Sequence, residues 1–354
     1  MKRILVVRND KIGDFMLAWP ALALLKGAGC HVTVLVPAYT EPLARLCSFV
    51  DEVMVDPGAD GSQAEQAELL QTITNARFDA ALTLFSTWRV GMLLRKAQIP
   101  LRLAPATKFA QLLYNHRVRQ RRSRSDKPEW EYNLDLAAIL LKHLGLAIGF
   151  VAPPYLRFDP AQLMARRQAM AARLSVPTDK RWLMVHAGSG GSANNLSMAQ
   201  YEGLIAILAK RLPDWVFILT AGPAEQPAVG LLMANLINRQ VPVAMLGASA
   251  LPEFAQDIAV SDAFMAGSTG PLHIAGALNV PTIGFYTMRR SATALRWQTL
   301  NAPARRLAIS PTASMPDPEH FKGLDQESVA CEIATWLDSS HRQASVEIDE
   351  AMGI

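Results

Sequence analysis

Nine short apolar runs, spaced by stretches of helical periodicity, constrain this chain more than any other feature. In the first half they are Ile4–Val7, Val32–Val36, the weaker Glu52–Val55, and Ala80–Phe85. In the second they are Trp182–His186, Val216–Thr220, Val243–Leu246, Ala263–Ala266 and Thr282–Phe285. The runs are continuous rather than alternating, which suits strands covered on both faces. Between them, Phe15–Leu25, Ala64–Asn75, Tyr201–Arg211 and Glu253–Ala259 read as helices. An α/β fold with parallel, doubly wound sheets follows.

At 354 residues the chain exceeds what one hydrophobic core usually serves, so two domains are expected. Pro153–Pro160 (PPYLRFDP) reads as the linker, because paired prolines and polar residues favour an extended crossing. The division is then 1–155 and 156–325, with a last helix at 326–340 (apolar pattern Gln326–Leu337) and a polar tail, 341–354, expected to fray. Open α/β sheets bind ligands beyond the carboxyl ends of their strands, so a cleft between the two domains is the expected site. No repeat of solenoid length is evident.

Apolar residues make up 50% and charged residues 19%, which excludes a disordered chain. Ile4–Val7 is cut short by Arg8 and Asp10, too early for a secretory signal. The best candidate for a span, Leu134–Ala152, is interrupted by Asp135, Lys142 and His143. A cytoplasmic location is expected. Cys30, Cys47 and Cys331 match no zinc or disulfide spacing and read as buried small groups in a reducing compartment. The net charge of +4 is unevenly placed: Arg117, Arg119, Arg121, Arg122, Arg124 and Lys127 crowd one segment with only Asp126 against them. Such a cluster suits phosphate-rich or carboxylated partners; the alternative is a solvated loop.

Three strand-to-helix turns carry unusual residues. Gly267-Ser268-Thr269-Gly270-Pro271 opens the small-residue helix Leu272–Leu278. Ser268 or Thr269 can cap it, Pro271 suits its first turn, and glycines let a ligand approach unpaired N–H groups that favour an anion. His273 can donate to a phosphate or simply pack at the surface. His186-Ala187-Gly188-Ser189-Gly190-Gly191-Ser192 is glycine-rich but is no Walker loop, so it signals close backbone approach or a plain loop. Arg8-Asn9-Asp10-Lys11-Ile12-Gly13-Asp14 follows the first strand. There Asp14 either caps the next helix or, ionised at a helix start, accepts a proton.

The chain contains no D-x-D, no H-E-x-x-H and no Cys/His cluster, so no metal and no other cofactor is expected. A departing diphosphate would then be stabilised by N–H groups, hydroxyls and protein cations. The dinucleotide fingerprint G-x-G-x-x-G is absent after every expected strand, which argues against a dehydrogenase.

Taken together, VVRNDKIGDFMLAWPAL, HAGSGGSANNLSMAQY, GSTGPLHIAGALNVPTIGFY and the trailing RSATALRW resemble glycosyltransferase family 9, the ADP-heptose:lipopolysaccharide heptosyltransferases, over nearly the whole chain. The resemblance implies a GT-B fold: two Rossmann-like domains facing a cleft, the first binding acceptor and the second nucleotide sugar. A C-terminal helix would pack back on the first domain. It implies metal-independent inversion with Asp14 as the base, and donor contacts from Gly13, Ser189, Gly190, Asn194, Glu225, Ser268, Thr269, Gly270 and His273. Lys11, Arg117, Arg119, Arg121 and Arg122 are the acceptor-binding candidates. The partners implied are an ADP-heptose donor and a lipid-linked anionic glycan, not nucleic acid, with peripheral contact at the inner membrane. Two positions depart from the family pattern. Asn194-Asn195-Leu196 stands where a lysine and an aromatic pair are common, and Ser268 where aspartate often precedes T-G. Lys11, Arg8 and Arg289 are the cations that could compensate. A nucleotide-sugar 2-epimerase and a non-catalytic nucleotide-sugar-binding subunit are the competing readings.

Overall fold

A computed structural model describes residues 1–107, 109–188, 194–312, 315, 317 and 321–352, the last twelve as backbone only. The chain divides into two compact units, Met1–Leu156 and Arg157–Ile354.

In the first unit the order is β1 (Arg3–Val7), α1 (Ile12–Met16), α2 (Trp19–Gly27), β2 (His31–Pro37), α3 (Glu41–Leu46), β3 (Glu52–Asp56), α4 (Gln63–Ala76), β4 (Ala80–Thr83), α5 (Trp88–Lys96), β5 (Leu101–Pro105), β6 (His116–Val118) and α6 (Glu129–His143). All strands are parallel and lie in the order β3-β2-β1-β4-β5-β6. Leu5, Val7, Leu35 and Ala81 from the strands pack with Leu69, Ile73 and Leu94 from α4 and α5 on one face. On the other face α2, with Trp19 fully buried, packs along α6. The single helix expected over Phe15–Leu25 is two, because Pro20 lacks the N–H that a continuous helix would need and instead sits in the first turn of α2.

The second unit runs α7 (Pro160–Leu174), β7 (Arg181–His186), α8 (Met198–Arg211), β8 (Trp215–Thr220), α9 (Gln226–Asn238), β9 (Val243–Met245), α10 (Leu251–Ala259), β10 (Ala263–Gly267), α11 (Gly270–Ala277), β11 (Thr282–Phe285), β12 (Arg306–Ile309) and α12 (Gln326–Met352). Its sheet is again all parallel, in the order β12-β11-β10-β7-β8-β9. Asp159 caps α7 by accepting from the backbone of Ala161 and Gln162, and Ser197 and Gln200 form a reciprocal capping box on α8. Within this unit Ile333 and Leu337 of α12 pack into the core that α8 covers. The backbone of α12 runs as helix to Met352. Residues 338–352 contain neither Gly nor Pro, so nothing in the run interrupts the helix.

Three strands escaped the sequence reading. β5 begins with a polar-interrupted LRLAP, β6 is three residues at a sheet edge, and β12 starts on an arginine. The basic segment is therefore not a simple loop: Arg117 lies in β6, and residues 122–124 form a 3-10 turn. Among the described residues no helix is long and apolar enough to cross a membrane.

Candidate active site

Each sheet reverses its strand order once, between β1 and β4 in the first unit and between β7 and β10 in the second. Loops diverge at such points and leave room for a ligand beyond the strand ends. The three turns singled out by sequence leave from β1, β7 and β10, so all three lie at these reversals.

After β1, Arg8 turns inward and is only 3% exposed. Its Nε donates to Asp10 at 2.8 Å, Nη2 to Asp14 at 2.5 Å, and Nη1 to Glu129 and Asn133, both at 3.4 Å. Glu129, the buried first residue of α6, also accepts from Arg122 at 2.6 Å. Asn133, one turn further, donates to the carbonyl of Leu17 at the α1–α2 corner. Three carboxylates thus share two guanidinium groups. Burial opposes the Arg8 charge, but Asp10, Asp14 and Glu129 outweigh it and hold the guanidinium above its ordinary range. Burial, reinforced by the nearby Asp14, pushes Asp10 up to about 6 against the pull of Arg8.

Asp14 is not a helix cap. The helix starts at Ile12, so Asp14 falls inside its first turn, and its carboxylate pairs with Arg8 instead. Lys11 takes the cap position, is exposed, and makes no capping hydrogen bond; Gly13 is buried beside it. Arg8 itself is committed to these carboxylates, whereas Arg289 is exposed in the second unit.

After β10, Thr269 occupies the cap position of α11 without its side chain closing a capping hydrogen bond. Its Oγ1 is buried with no partner, and so is Nδ1 of His273 one turn on. Buried polar atoms are nearly always satisfied, so two orphans at one helix end mark a place where a ligand supplies the partner. His273 is 2% exposed, not a surface group. Burial drives its imidazole down to about 4, which keeps it neutral, and the edge of the Trp297 ring stands beside it with centroids 6.5 Å apart. Ser268 and Gly270 are half-buried on either side of Thr269.

After β7, His186 is buried, shares a hydrogen bond with Thr220 Oγ1 at 2.9 Å, and is pushed down to about 4 by burial. Gly188 follows. A Cβ there would fall 1.9 Å from Oε2 of Glu225, so only glycine lets that carboxylate lie against the backbone. Asn195 fixes the arrangement. Its Nδ2 donates to the carbonyls of Ala187 and Gly188, and its Oδ1 accepts from Tyr201 at 2.7 Å and from the Leu196 N–H. A Cβ on Gly267 would meet that Oδ1 at 2.6 Å, so this asparagine also fills the space against the end of β10. Asn194 beside it is half-buried. Ser189 and Gly190 lie outside the described residues.

The structure thus gathers Ser268, Thr269, Gly270 and His273 at one helix end, and sets Glu225 and Asn194 on the loops after β8 and β7. In the first unit it brings Asp14 and Arg122 into one network, while Arg117, Arg119 and Arg121 point outward as exposed groups. Sequence reasoning missed Arg8 as the hub, Asn195 as the clamp and Trp297 as the wall beside His273. The first had a signal, an arginine directly after a β-branched strand. Asn195 had none, since an asparagine in a polar loop is ordinary. Among the described residues no group of three or more His, Cys, Asp or Glu is placed to hold a metal ion.

Two six-stranded parallel sheets, each with its own helices and its own reversal point, define the GT-B architecture. A family model for glycosyltransferase family 9 (heptosyltransferase) matches residues 66–320, and the chain belongs to that family. A Haemophilus influenzae protein, described in general terms as a glycosyltransferase, is 42% identical over 340 residues, covering 95% of this chain and 97% of that one. Among solved structures, the ADP-heptose LPS heptosyltransferase II of E. coli superposes with a TM-score of 0.76 at 19% identity, covering 96% of this chain and 100% of its own. The E. coli heptosyltransferase WaaC with ADP gives 0.71 at 18%, covering 94% and 99%. A family 9 glycosyl transferase from Veillonella parvula gives 0.78 at 16%, covering 96% and 98%. The chain is a family 9 glycosyltransferase.

Proposed function

We propose that this glycosyltransferase inverts configuration without a metal and moves heptose from ADP-heptose to the lipopolysaccharide inner core, onto a Kdo or heptose hydroxyl, at the cytoplasmic face of the inner membrane. The observation that carries the reading is the orphaned pair at the start of α11, Thr269 Oγ1 and His273 Nδ1. A hydroxyl, a neutral imidazole nitrogen and unpaired backbone N–H groups together suit the oxygens of a diphosphate. Glu225 is offered to the nucleoside, with Ser189, Gly190 and Asn194 on the loop beside it. Gly13, after β1, is assigned to the donor by the family pattern.

In the proposed step Asp14 takes the proton of the acceptor hydroxyl. The acceptor oxygen bonds to the anomeric carbon while the bond from that carbon to the diphosphate breaks. The electron pair leaves with ADP, whose new charge is received by the α11 end, Thr269 and His273. Lys11 and Arg117 are assigned to the anionic acceptor. Arg122 contributes from behind, by holding Glu129. A second reading, transfer from a different nucleotide sugar or simple retention of one, is favoured by Ser268 and Asn194, which remove an acid and a cation from the family pattern.

A thermal-shift panel of ADP-, GDP-, UDP- and dTDP-sugars tests the donor. A ligand at about 100 times its dissociation constant stabilises by roughly 2.7 kcal/mol, well within reach of such a screen. Selective stabilisation by ADP-heptose is expected; selective stabilisation by a UDP- or GDP-sugar contradicts the donor assignment.

A further inference from the structure

From Ala80 to Ser125 the chain carries ten lysines and arginines and not one aspartate or glutamate, although the whole protein has a net charge of only +4. The structure folds that stretch into β4, β5, β6 and the loops that leave their carboxyl ends. Three of the cations are taken up internally. Arg89 pairs with Asp56, Arg102 donates to the carbonyls of Ile99 and Leu113, and Arg122 holds Glu129. Arg119, Arg121 and Arg124 are exposed and form no ion pair among the described residues.

Large apolar side chains stand on the same rim. Phe85 and Trp88, after β4, are 47% and 55% exposed; Phe109 and Leu112, after β5, are 82% and 64% exposed. The three loops form one surface. Ser86 and Thr107 share a hydrogen bond at 2.9 Å, Ala106 N–H donates to Val118 at 2.7 Å, and Arg122 reaches back to the carbonyl of Leu84 at 3.3 Å. Gly91 of α5 lets Leu113 of the second loop pack closely against the helix. The apolar side chains are therefore held outward by a tied framework.

We propose that this rim docks on an anionic lipid bilayer, Phe85, Trp88, Phe109 and Leu112 entering the headgroup boundary while Arg119, Arg121 and Arg124 engage lipid phosphates. Charge complementarity selects the occupant: a rim of exposed arginines with only Asp126 against them opposes a surface of fixed negative charge. Exposed aromatics beside arginines match the interfacial belt of membrane-bound proteins. The inference deepens the proposed membrane-face location, yet it needs neither the donor nor the acceptor to be as proposed. Arg122 belongs to both systems, so the docked rim is mechanically continuous with the Asp14 network.

The test is co-sedimentation of the full chain, without substrates, with vesicles of phosphatidylcholine alone or mixed with phosphatidylglycerol. Binding to the mixed vesicles only, weakened by salt, is expected. The triple variant Arg119→Ala/Arg121→Ala/Arg124→Ala should lose about a hundredfold in partitioning, from the roughly fivefold per cation that a bilayer surface potential supplies. Phe109→Ser with Leu112→Ser should also lose binding, and quenching by brominated lipid should fall in Trp88→Phe. Because all these side chains are exposed, unchanged thermal melting confirms that each variant folds. Equal binding to neutral vesicles, or unchanged partitioning in the triple variant, overturns the proposal. So does displacement from vesicles by a lipid-free phosphorylated oligosaccharide at low concentration, which would assign the rim to glycan. Failure of ADP-heptose to stabilise the protein bears only on the donor and leaves this result standing.

Discussion

Replacing Arg8 by methionine removes the hub of the first-unit network while keeping an unbranched side chain of similar reach. Arg8 is 3% exposed and contacts Asp10, Asp14 and Glu129. Breaking a buried ion pair from one side costs roughly 3–5 kcal/mol. Glu129 keeps Arg122 at 2.6 Å, so the loss falls on Asp10 and Asp14, whose side chains are 17% and 16% exposed and partly hydrated. The expected cost therefore lies near the lower end, about 3 kcal/mol at pH 8. The pH dependence has a definite sign. Asp10 already sits near 6 in the native protein, and loss of the Arg8 charge raises it further. A carboxyl raised in the folded state binds its proton more readily there than in the unfolded chain, so the folded variant gains relative stability as pH falls. The gap between wild type and Arg8→Met should narrow from pH 8 to pH 5. Urea denaturation followed by tryptophan fluorescence at the two pH values measures it. A cost below about 1 kcal/mol, or the same cost at both pH values, would refute the buried-hub account. Arg8→Lys keeps the charge but cannot span three carboxylates, so its kcat should fall through misplacement of Asp14 while KM for the donor holds.

Asp10→Asn removes a carboxyl that pays a burial cost when ionised. It should stabilise by about 1–3 kcal/mol at pH 8, and the gain should vanish near pH 4, where the native carboxyl is already protonated; a pH-independent gain in urea melts speaks against it. His186 and His273 are both held neutral down to about 4, so the stability they give is complete above 6.5 and is lost as pH falls towards 4. His273→Gln should flatten that acid limb by about 3 kcal/mol, read from melts at pH 7 and pH 4, and an unchanged limb would count against the buried neutral imidazole. Gly188→Ala drives its methyl into Glu225, a half-buried side chain that can swing aside, so calorimetry should show weaker ADP binding with little loss of stability. Gly267→Ala meets Asn195, which four hydrogen bonds hold in place, so it should instead destabilise by about 1–3 kcal/mol.

The doubly wound architecture was legible because buried parallel strands must be continuous and apolar, and Ile4–Val7 or Val216–Thr220 can be little else. β6 and β12 were not, since edge strands need only one neighbour and tolerate polar residues such as His116 and Arg306. The three chemical turns could be picked out by glycine and helix-start chemistry, and strand order then explains why they matter: each leaves from a strand at a reversal point. What stayed hidden is long-range pairing. No local pattern announces that Arg8 will meet Glu129, or that Asn195 will close against Gly267. The same blindness made the arginine run look uniform, whereas folding draws Arg122 inward and leaves Arg119, Arg121 and Arg124 outside.

The central claim is that Asp14 is the base of a heptose transfer from ADP-heptose. The direct measurement is ADP release coupled to the mass of the product, from ADP-heptose and a heptose-deficient lipopolysaccharide acceptor, with Asp14→Asn in parallel. The account predicts one heptose added per ADP by the wild type. It predicts a fall of roughly 10²–10⁴ in kcat for Asp14→Asn, the range of a lost general base, with calorimetric ADP binding retained. Near-normal turnover by Asp14→Asn, with donor still bound, would contradict it.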